Sequence, residues 1–484
     1  MKRIPAWLYL AGLLLALCRL PVAAAATPIA TTLPAPIAAA LKRQGLSTRG
    51  LSIYVQEIGQ PEPLLAVAAD KPRHPASTMK LLTTLATLEE LGPAYRWKTE
   101  AYTSAPIRNG RLDGDLYLKG YGDPYLVIEQ FWLFLRALRA QGLREIHGDL
   151  VLDQSYFARE SGDSAEFDNQ PLRTYNVLPN ALLVNFQAVS FRFLPRPQAN
   201  RVEIVADPMP ANLEIENRVR LTQNACNGWG SHLGLKVLQR DGQTRVIFSG
   251  GYDAACGDHE LFRAVSEPAA YILGTFRSLW SELGGSFDGA VREQAVPAGA
   301  PLLYTGYSPP LSDIIRSINK YSNNVMARQL LLTLGADRAG PPGTTEKGIA
   351  AIHAWLRDHD LELPELVLQN GSGLSREEEI SARHLGAVLL AGWRSPYMPE
   401  LVSSLPISAM DGTLRGRFNG ETELDGRMHL KTGSLRDVRA IAGYMLDRQG
   451  RRMIVVCLHN SPRAETEAGA ALQDALLQWV YERP

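Results

Sequence analysis

The sequence predicts an α/β domain that is interrupted by a large, mostly β insertion. Apolar residues recur at helical spacing in 77–91 and again in several segments after residue 311. One strand-like run, 51–57, lies near the beginning of the chain, and two more, joined by a turn, lie within 440–459. We therefore expect one α/β domain built from 27–97 and 301–484, with the intervening residues inserted into it.

The residues between these two halves have a different character. Short strand-like runs alternate there with Gly, Asp, Asn and Pro turns, at 116–119, 148–152, 182–186 and 202–205. Two helical stretches, 126–140 and 269–283, interrupt them. We expect two modules in this region, an inserted domain at 98–160 and 262–300 and a β-rich domain at 161–261.

The composition is that of an ordinary globular protein. The 484 residues carry 50 Lys and Arg against 50 Asp and Glu, and 45% of them are hydrophobic. These values exclude a long disordered or collagen-like chain. The zero net charge argues against a nucleic-acid-binding protein, because such proteins normally carry a basic excess.

Residues 1–26 are typical of a secretory signal. Two basic residues precede an apolar run, and the small residues at 23–26 offer a cleavage site. The alternatives are a retained anchor and a lipoprotein signal at Cys18, although the large Leu17 precedes that cysteine. Cleavage would remove three basic residues and no acid, which leaves a net charge of −3. Since no other stretch reads as a membrane span, we expect a periplasmic protein without a stable transmembrane anchor.

Three cysteines remain after the signal: Cys226, Cys256 and Cys457. A hairpin pattern with Asp241-Gly242 at its turn lies between the first two, each about fifteen residues from the turn. A hairpin would bring Cys226 and Cys256 together, and an exported chain can keep a disulfide, so we predict this bridge. Cys457 lies in an apolar run and is expected to be a buried strand residue. No Cys or His spacing resembles a zinc site.

The first motif that carries chemistry is Ser77-x-x-Lys80, at the start of the predicted helix 77–91. At a spacing of three, both side chains share one helix face. A serine hydroxyl needs an adjacent base, and a lysine can be that base where burial or a neighbouring cation lowers its pKa. The structural alternative is an N-cap serine beside a solvated lysine. Because Ser317-x-x-Lys320 is a second copy inside a predicted helix, the pattern alone is not decisive.

The second motif is Ser322-Asn323-Asn324, between two predicted helices. The Ser322 hydroxyl would relay a proton, and the Asn324 amide would hold a substrate amide. In an overlapping register, Tyr321-Ser322-Asn323, the proton carrier would be Tyr321. The structural alternative is a polar turn between helices, since Ser and Asn are turn residues.

The third motif is Lys431-Thr432-Gly433-Ser434, at the end of a strand-like run. Lys431 can supply positive charge for a substrate carboxylate, and Thr432 and Ser434 offer hydroxyls. Gly433 would let a substrate backbone lie close against the strand. The structural alternative is a plain strand end and turn.

The three motifs together are typical of penicillin-binding proteins and class A β-lactamases. The chain resembles one branch of them, the D-alanyl-D-alanine carboxypeptidase/endopeptidases, which are low-molecular-mass class C penicillin-binding proteins. The distinctive mark is the separation of 242 positions between Lys80 and Ser322, where this family carries two extra domains. The family usually has Asp where Asn370 stands. Further matching segments are 175–179, 181–186, 371–376 and 411–414.

The resemblance implies a penicillin-binding-protein/β-lactamase-like transpeptidase fold, an antiparallel sheet with flanking helices. It implies that Ser77 attacks the carbonyl of the penultimate D-alanine and that Lys80 accepts the proton. Ser322 and Asn324 would assist, and the family favours this register over Tyr321 with Asn323. Water would then hydrolyse the acyl-enzyme.

The same resemblance implies how the substrate is held. Lys431 and Thr432 would bind the terminal carboxylate, beside Gly433. The backbone N–H groups of Ser77 and Ser434 would form the oxyanion hole, in which each donor is typically worth a few kcal/mol.

In the endopeptidase reaction of this family the leaving group is the amine of a cross-linking diaminopimelate. Asp153 and Arg376 match positions that contact its amine and its carboxylate, with a turn aspartate and a surface arginine as the structural alternatives. The resemblance implies peptidoglycan peptides as substrates, β-lactam antibiotics as covalent inhibitors, and neither a metal nor an organic cofactor. The alternatives are a β-lactamase, against which the long insertion argues, and a non-catalytic peptidoglycan-binding protein, against which the intact motifs argue.

Overall fold

The computed structural model describes residues 30–160, 162–418 and 423–483. The predicted secretory signal at 1–26 lies outside these residues. Within them the chain forms ten α-helices: α1 Ala35–Arg43, α2 Lys80–Leu91, α3 Ile128–Ala140, α4 Pro268–Glu282, α5 Leu311–Tyr321, α6 Asn324–Ala339, α7 Thr345–Asp358, α8 Ala382–Arg394, α9 Met398–Ser404 and α10 Glu467–Tyr481.

A five-stranded antiparallel sheet forms the centre of the α/β part. Its strands are, in order, Leu65–Val67, Leu51–Glu57, Arg452–Asn460, Val438–Leu446 and Met428–Leu435. The middle strands are buried on both faces, which explains why their sequences read as continuous apolar runs. Alternate residues point to opposite faces: Tyr54 and Val456 join one core cluster, and Ile53 and Cys457 join the other.

Helices cover both faces of this sheet and make a three-layer arrangement. Helices α1 and α10 pack on one face, and α2, α5, α6 and α8 contribute to the core on the other. The apolar side of α10, with Leu472, Leu476 and Leu477, is buried in that core. Within the described ranges, no helix has the length and apolar character needed to cross a membrane.

The inserted region holds four sheets in the part of the chain that the structure describes. A five-stranded mixed sheet has the order Val291–Glu293, Leu150–Asp153, Leu116–Gly120, Lys98–Thr103, Leu302–Tyr307. A small sheet has the order Ser286–Phe287, Glu145–Ile146, Arg111–Leu112, Ile107–Arg108. The remaining two have the orders Arg201–Asp207, Val189–Arg196, His259–Arg263 and Leu213–Thr222, Gln243–Asp253, Leu233–Arg240. One separate hydrophobic core joins these sheets to α3 and α4.

The return of the chain to the α/β part comes later than the sequence suggests. Leu302–Tyr307 pairs with Lys98–Thr103 and therefore belongs to a sheet of the insertion. The predicted boundary at 301 thus precedes a strand of the inserted region, and the α/β helices resume with α5. The further division of the insertion into two domains stays a prediction.

The segment 182–186 is not a strand, and the prediction of one was wrong. Asn185 and Phe186 have φ values of 47° and 53°, which strands do not adopt. Asn185 Oδ1 instead accepts a hydrogen bond of 3.2 Å from the N–H of Ile128, at the start of α3. The apolar residues before Asn185 are buried in this irregular segment, and their hydrophobicity produced the strand-like pattern.

Cys226 and Cys256 form a disulfide, with their Cα atoms 4.9 Å apart. The predicted hairpin is present between Leu233–Arg240 and Gln243–Asp253. The cysteines, however, follow the ends of Leu213–Thr222 and Gln243–Asp253, which are parallel neighbours in register. The parallel pair, rather than the base of the hairpin, therefore brings the two cysteines together.

Candidate active site

The nucleophile candidate lies in a tight turn ahead of α2. A 3-10 turn, Ala76–Met79, leads directly into α2, which begins at Lys80. Ala76 has a φ of 46°, a conformation that costs free energy for a residue with a Cβ and is common at functional sites. Ser77 is partly exposed, and Lys80 Nζ lies 2.9 Å from Ser77 Oγ.

Lys80 is fully buried among oxygen atoms from separate parts of the chain. Its Nζ donates to Asn324 Oδ1 at 2.6 Å and also donates to the carbonyl of Ser372. Burial is the largest cause that lowers the pKa of Lys80 well below its ordinary value, and the positive charge of Lys431 lowers it further. An amine in this position is suited to take a proton from Ser77.

The second motif lies at the junction of α5 and α6, as a C-cap and an N-cap. Ser322 has a φ of 58° and ends α5, and the side chain of Asn323 caps α6 by accepting the N–H of Met326 at 3.0 Å. This turn points Ser322 and Asn324 into the cleft: Ser322 Oγ accepts from Lys431 Nζ at 2.8 Å. Tyr321 is 74% exposed. The geometry thus favours the register that pairs Ser322 with Asn324.

The third motif lies on Met428–Leu435, the edge strand of the central sheet. Lys431 is buried, and burial lowers its pKa to about 7. Thr432 Oγ1 lies toward solvent and donates to Thr413 Oγ1 at 2.7 Å. A Cβ at Gly433 would lie 2.9 Å from the backbone nitrogen of Ser77, so only glycine lets this strand pack so closely against the nucleophile turn. Ser434, the next residue, is exposed.

The structure therefore brings Ser77, Lys80, Asn324, Ser322 and Lys431 together as two sets of contacts. One set runs from Ser77 through Lys80 to Asn324, and the other joins Ser322 to Lys431. Both lysines are buried, and the charge of Lys431 acts on Lys80 as a like charge, without a direct contact. Perturbed titratable groups in a cleft, beside a hydroxyl, are the arrangement expected of an activated serine.

Asp153 lies at the end of Leu150–Asp153 and is 1% exposed. Its Oδ1 accepts from the N–H and the hydroxyl of Ser155, at 3.0 and 2.6 Å. Its Oδ2 accepts from the N–H of Val296 at 2.9 Å and lies 3.3 Å from Lys119 Nζ. Both oxygens thus have partners within the protein, which hold the carboxylate in place. The role predicted for Asp153 toward diaminopimelate stays a prediction.

Arg376 is exposed and lies four residues after Ser372, whose carbonyl contacts Lys80. Its guanidinium carbon lies 4.3 Å from the ring centroid of Phe167, a cation–π contact with the inserted region. The guanidinium therefore lies on the same loop as the Lys80 contact and faces solvent. Its predicted contact with a substrate carboxylate also stays a prediction.

The sequence reasoning did not identify His74, which links the nucleophile turn to the segment that contains Ser375. Its Nδ1 accepts the N–H of Ala76 at 2.9 Å, and its Nε2 lies 2.9 Å from the carbonyl of Ser375. This pair of contacts requires a neutral ring with the proton on Nε2, and burial lowers the pKa of His74 accordingly. The only sequence feature that could have identified His74 is its position three residues before Ser77.

Comparison with known proteins decides the family. A profile described as the D-Ala-D-Ala carboxypeptidase 3 (S13) family matches residues 33–483. The chain belongs to this family. The prediction of a serine-type D-Ala-D-Ala carboxypeptidase that acts on peptidoglycan is thereby confirmed.

Two relatives support the family membership. The D-alanyl-D-alanine carboxypeptidase of Actinomadura sp. strain R39 is 31% identical over 417 residues, which cover 83% of this chain and 76% of the relative. The D-alanyl-D-alanine carboxypeptidase DacB of Haemophilus influenzae is 28% identical over 382 residues, with 79% of each chain covered.

Solved structures show the fold of this S13 family member. Penicillin binding protein 4 (dacB) from Haemophilus influenzae aligns with a TM-score of 0.75 at 24% identity, over 92% of this chain and 99% of that one. Bd3459, a predatory peptidoglycan endopeptidase from Bdellovibrio bacteriovorus, aligns with a TM-score of 0.53 at 16% identity, over 89% and 92%. The predicted penicillin-binding-protein fold with a β-rich insertion is confirmed.

Proposed function

We propose that Ser77 is the nucleophile of this D-Ala-D-Ala carboxypeptidase and that Lys80 is its general base. The single observation that carries the proposal is the 2.9 Å separation of Lys80 Nζ and Ser77 Oγ inside a buried, cationic cleft. A lowered pKa favours the neutral form of the lysine, whose lone pair can accept the hydroxyl proton.

Acylation follows from this arrangement. As the proton of Ser77 passes to Lys80 Nζ, the bond from Oγ to the carbonyl carbon of the penultimate D-alanine forms, and the carbonyl oxygen becomes an oxyanion. The N–H groups of Ser77 and Ser434 would stabilise that charge. The C–N bond then breaks, and the leaving D-alanine amine takes the proton that Lys80 received from Ser77, relayed through Ser322. Water then attacks the ester carbonyl, the bond to Ser77 Oγ breaks, a proton of the water returns to Oγ, and the shortened peptide leaves as the free acid.

The carboxylate end of the substrate is assigned to the edge strand. Lys431 reaches the cleft beside Ser322, and the Thr432 hydroxyl faces solvent with Thr413 next to it. An arriving carboxylate would favour the charged form of Lys431, whose pKa near 7 leaves it close to half charged at neutral pH.

Two finer assignments belong to the same proposal. The enzyme would also cleave cross-links, with the amine of diaminopimelate as the leaving group, and Arg376 and Asp153 are the candidate contacts for that residue. It would work in the periplasm, where its substrate lies, and β-lactams would acylate Ser77. The structure of the Haemophilus influenzae protein has been solved in complex with a β-lactam. The fold that it shares with this chain supports the proposal that β-lactams acylate Ser77.

Labelling with a fluorescent penicillin tests the nucleophile. Ser77→Ala should lose covalent labelling, whereas Ser317→Ala, at the second copy of the pattern, should keep it. Labelling that survives in Ser77→Ala would remove the proposal. Digestion of purified cross-linked muropeptides then separates loss of terminal D-alanine from cleavage of dimers. Release of penicillin many times per second would instead indicate a β-lactamase.

A further inference from the structure

A loop at 369–378, here called the anchor loop, packs on the nucleophile turn and on α2. The carbonyl of Gly371 accepts from Thr83 Oγ1 at 2.6 Å, and the carbonyl of Ser372 accepts from Lys80 Nζ. A Cβ at Gly373 would lie 1.9 Å from the Ala76 carbonyl oxygen. The position of this loop therefore determines where the amine of Lys80 is held.

Glu378 anchors the loop from inside. Its side chain is completely buried, and Oε1 accepts three backbone N–H groups, from Gln369 at 3.2 Å, Asn370 at 2.9 Å and Gly371 at 3.1 Å. Burying a carboxylate is costly unless such donors compensate for lost water. Three donors on one oxygen hold 369–371 in a tight turn, immediately before the Ser372 carbonyl that Lys80 contacts.

The other carboxylate oxygen of Glu378 has no hydrogen-bond partner and is shielded from solvent. Among the described residues, the charged groups that act on Lys80 are Lys431, from the edge strand, and Glu378, from the anchor loop. His74 contacts the same loop from its other side, at Ser375, as a neutral ring. Burial raises the pKa of Glu378, whereas its three backbone donors and the charge of Lys80 act in the opposite direction and favour the carboxylate. Glu378 is thus the negative charge that acts on Lys80.

We propose that Glu378 is a positioning residue of the acylation step, an inference that rests on the function proposed for Ser77 and Lys80. Its carboxylate holds the anchor loop so that the Ser372 carbonyl meets Lys80. Its negative charge also stabilises the Lys80 ammonium that forms when Lys80 takes the proton of Ser77. Glu378 touches no reacting atom and acts through Lys80.

The sign of the charge effect follows directly. Acylation needs neutral Lys80, so its rate rises with pH through the pKa of Lys80. The carboxylate of Glu378 raises that pKa, in opposition to burial and to Lys431. Loss of the carboxylate charge should therefore move the acidic limb of the rate profile to lower pH, and should slow acylation at the plateau because the ammonium is less stable.

The test is the rate of acylation by a fluorescent penicillin as a function of pH. Glu378→Gln keeps the shape and an acceptor oxygen for the loop but removes the charge. We expect its acidic limb to move down by about one pH unit and its plateau to fall about tenfold. Glu379→Gln, the exposed neighbour, is the matched control and should follow the wild-type profile.

Glu378→Asp keeps the charge on a shorter side chain and separates the two roles. It should lower the plateau rate while its acidic limb stays at the wild-type pH. An unmoved limb in Glu378→Gln, with a lower melting temperature and a uniformly lower rate, would make Glu378 merely structural and overturn the inference. If Glu378→Gln does not fold, Glu378→Asp alone tests the inference. A shift of its acidic limb to lower pH would then overturn the inference. A wild-type enzyme that penicillin does not label would contradict the proposed function instead.

Discussion

Ser77-x-x-Lys80 and Ser317-x-x-Lys320 have the same spacing, but their lysines lie in opposite electrostatic surroundings. Lys320 Nζ donates to Asp411 Oδ2 at 2.6 Å and to the carbonyl of Leu405 at 2.9 Å, so its charge is paired. Lys80 donates to neutral oxygens, and the charges of Lys431 and Glu378 act on it in opposite directions without a direct ion pair. The pattern supplies only the geometry, and the neighbouring charges decide whether the amine is an anchor or a base.

The largest effect is expected at the first copy. Lys80→Met removes the proton acceptor and keeps a long apolar side chain in the buried site. Penicillin acylation should fall at least about a thousandfold, in line with the contribution of a general base. Stopped-flow labelling measures the rate, with circular dichroism to establish the fold. A fall of less than tenfold would mean that the base is another group.

A smaller loss of acylation rate is expected from a change in the edge strand, which packs against Ser77 of the first Ser-x-x-Lys copy. Gly433→Ala places a Cβ 2.9 Å from the Ser77 nitrogen, so the edge strand must move away from the nucleophile turn. Acylation should fall roughly a hundredfold, since a displacement near 1 Å costs about that much in catalysis. Gly416→Ala, where nothing lies within 4 Å of the added Cβ, is the control. Equal rates for the two variants would show that the strand does not set the geometry.

The pH dependence of substrate binding sharpens the contrast between paired and unpaired lysines. Burial lowers the pKa of Lys431 to about 7, and above that pH the free enzyme loses the charge that attracts a carboxylate. KM for a D-Ala-D-Ala peptide should therefore rise about fivefold between pH 7 and pH 8. Steady-state kinetics across this range measures it, and a flat KM would contradict the assignment of Lys431 to the carboxylate.

The smallest catalytic effect is expected at the second copy. Lys320→Met leaves Asp411 without its cation, and because Asp411 is 38% exposed, the free energy of unfolding should fall by about 1–2 kcal/mol. Acylation should change by less than about threefold. Urea unfolding and penicillin labelling on the same preparation separate the two effects. A catalytic loss as large as that of Lys80→Met would remove the distinction between the copies.

The candidate site residues could be proposed from the sequence because their motifs are short and each lies in a locally recognisable element. A helix start, a turn between helices and a strand supply Ser77, Ser322 and Lys431, and each motif's local geometry could be read from its own neighbours. The order of the motifs then identified the family. That the three distant motifs meet in one cleft was inferred from this resemblance, because the pattern of a single segment cannot show it.

The contributions of Glu378 and His74 could not be read in the same way. Three consecutive glutamates at 377–379 look like a solvated surface run, yet the middle one is buried and its neighbours are exposed. An extended segment alternates its faces, and the sequence does not say which face meets the core. The buried carbonyl of Ser372 is likewise a backbone acceptor, which no side-chain pattern announces.

The central sheet joins the two ends of the chain. Leu51 pairs with His459, more than 400 residues later, and the edge strand with Lys431 is hydrogen-bonded into the same sheet. Contacts of such separation form late and slowly. A newly made polypeptide therefore has no working cleft until the strands up to Asn460 have been synthesised, which would keep a wall-cutting hydrolase inactive during its own biogenesis.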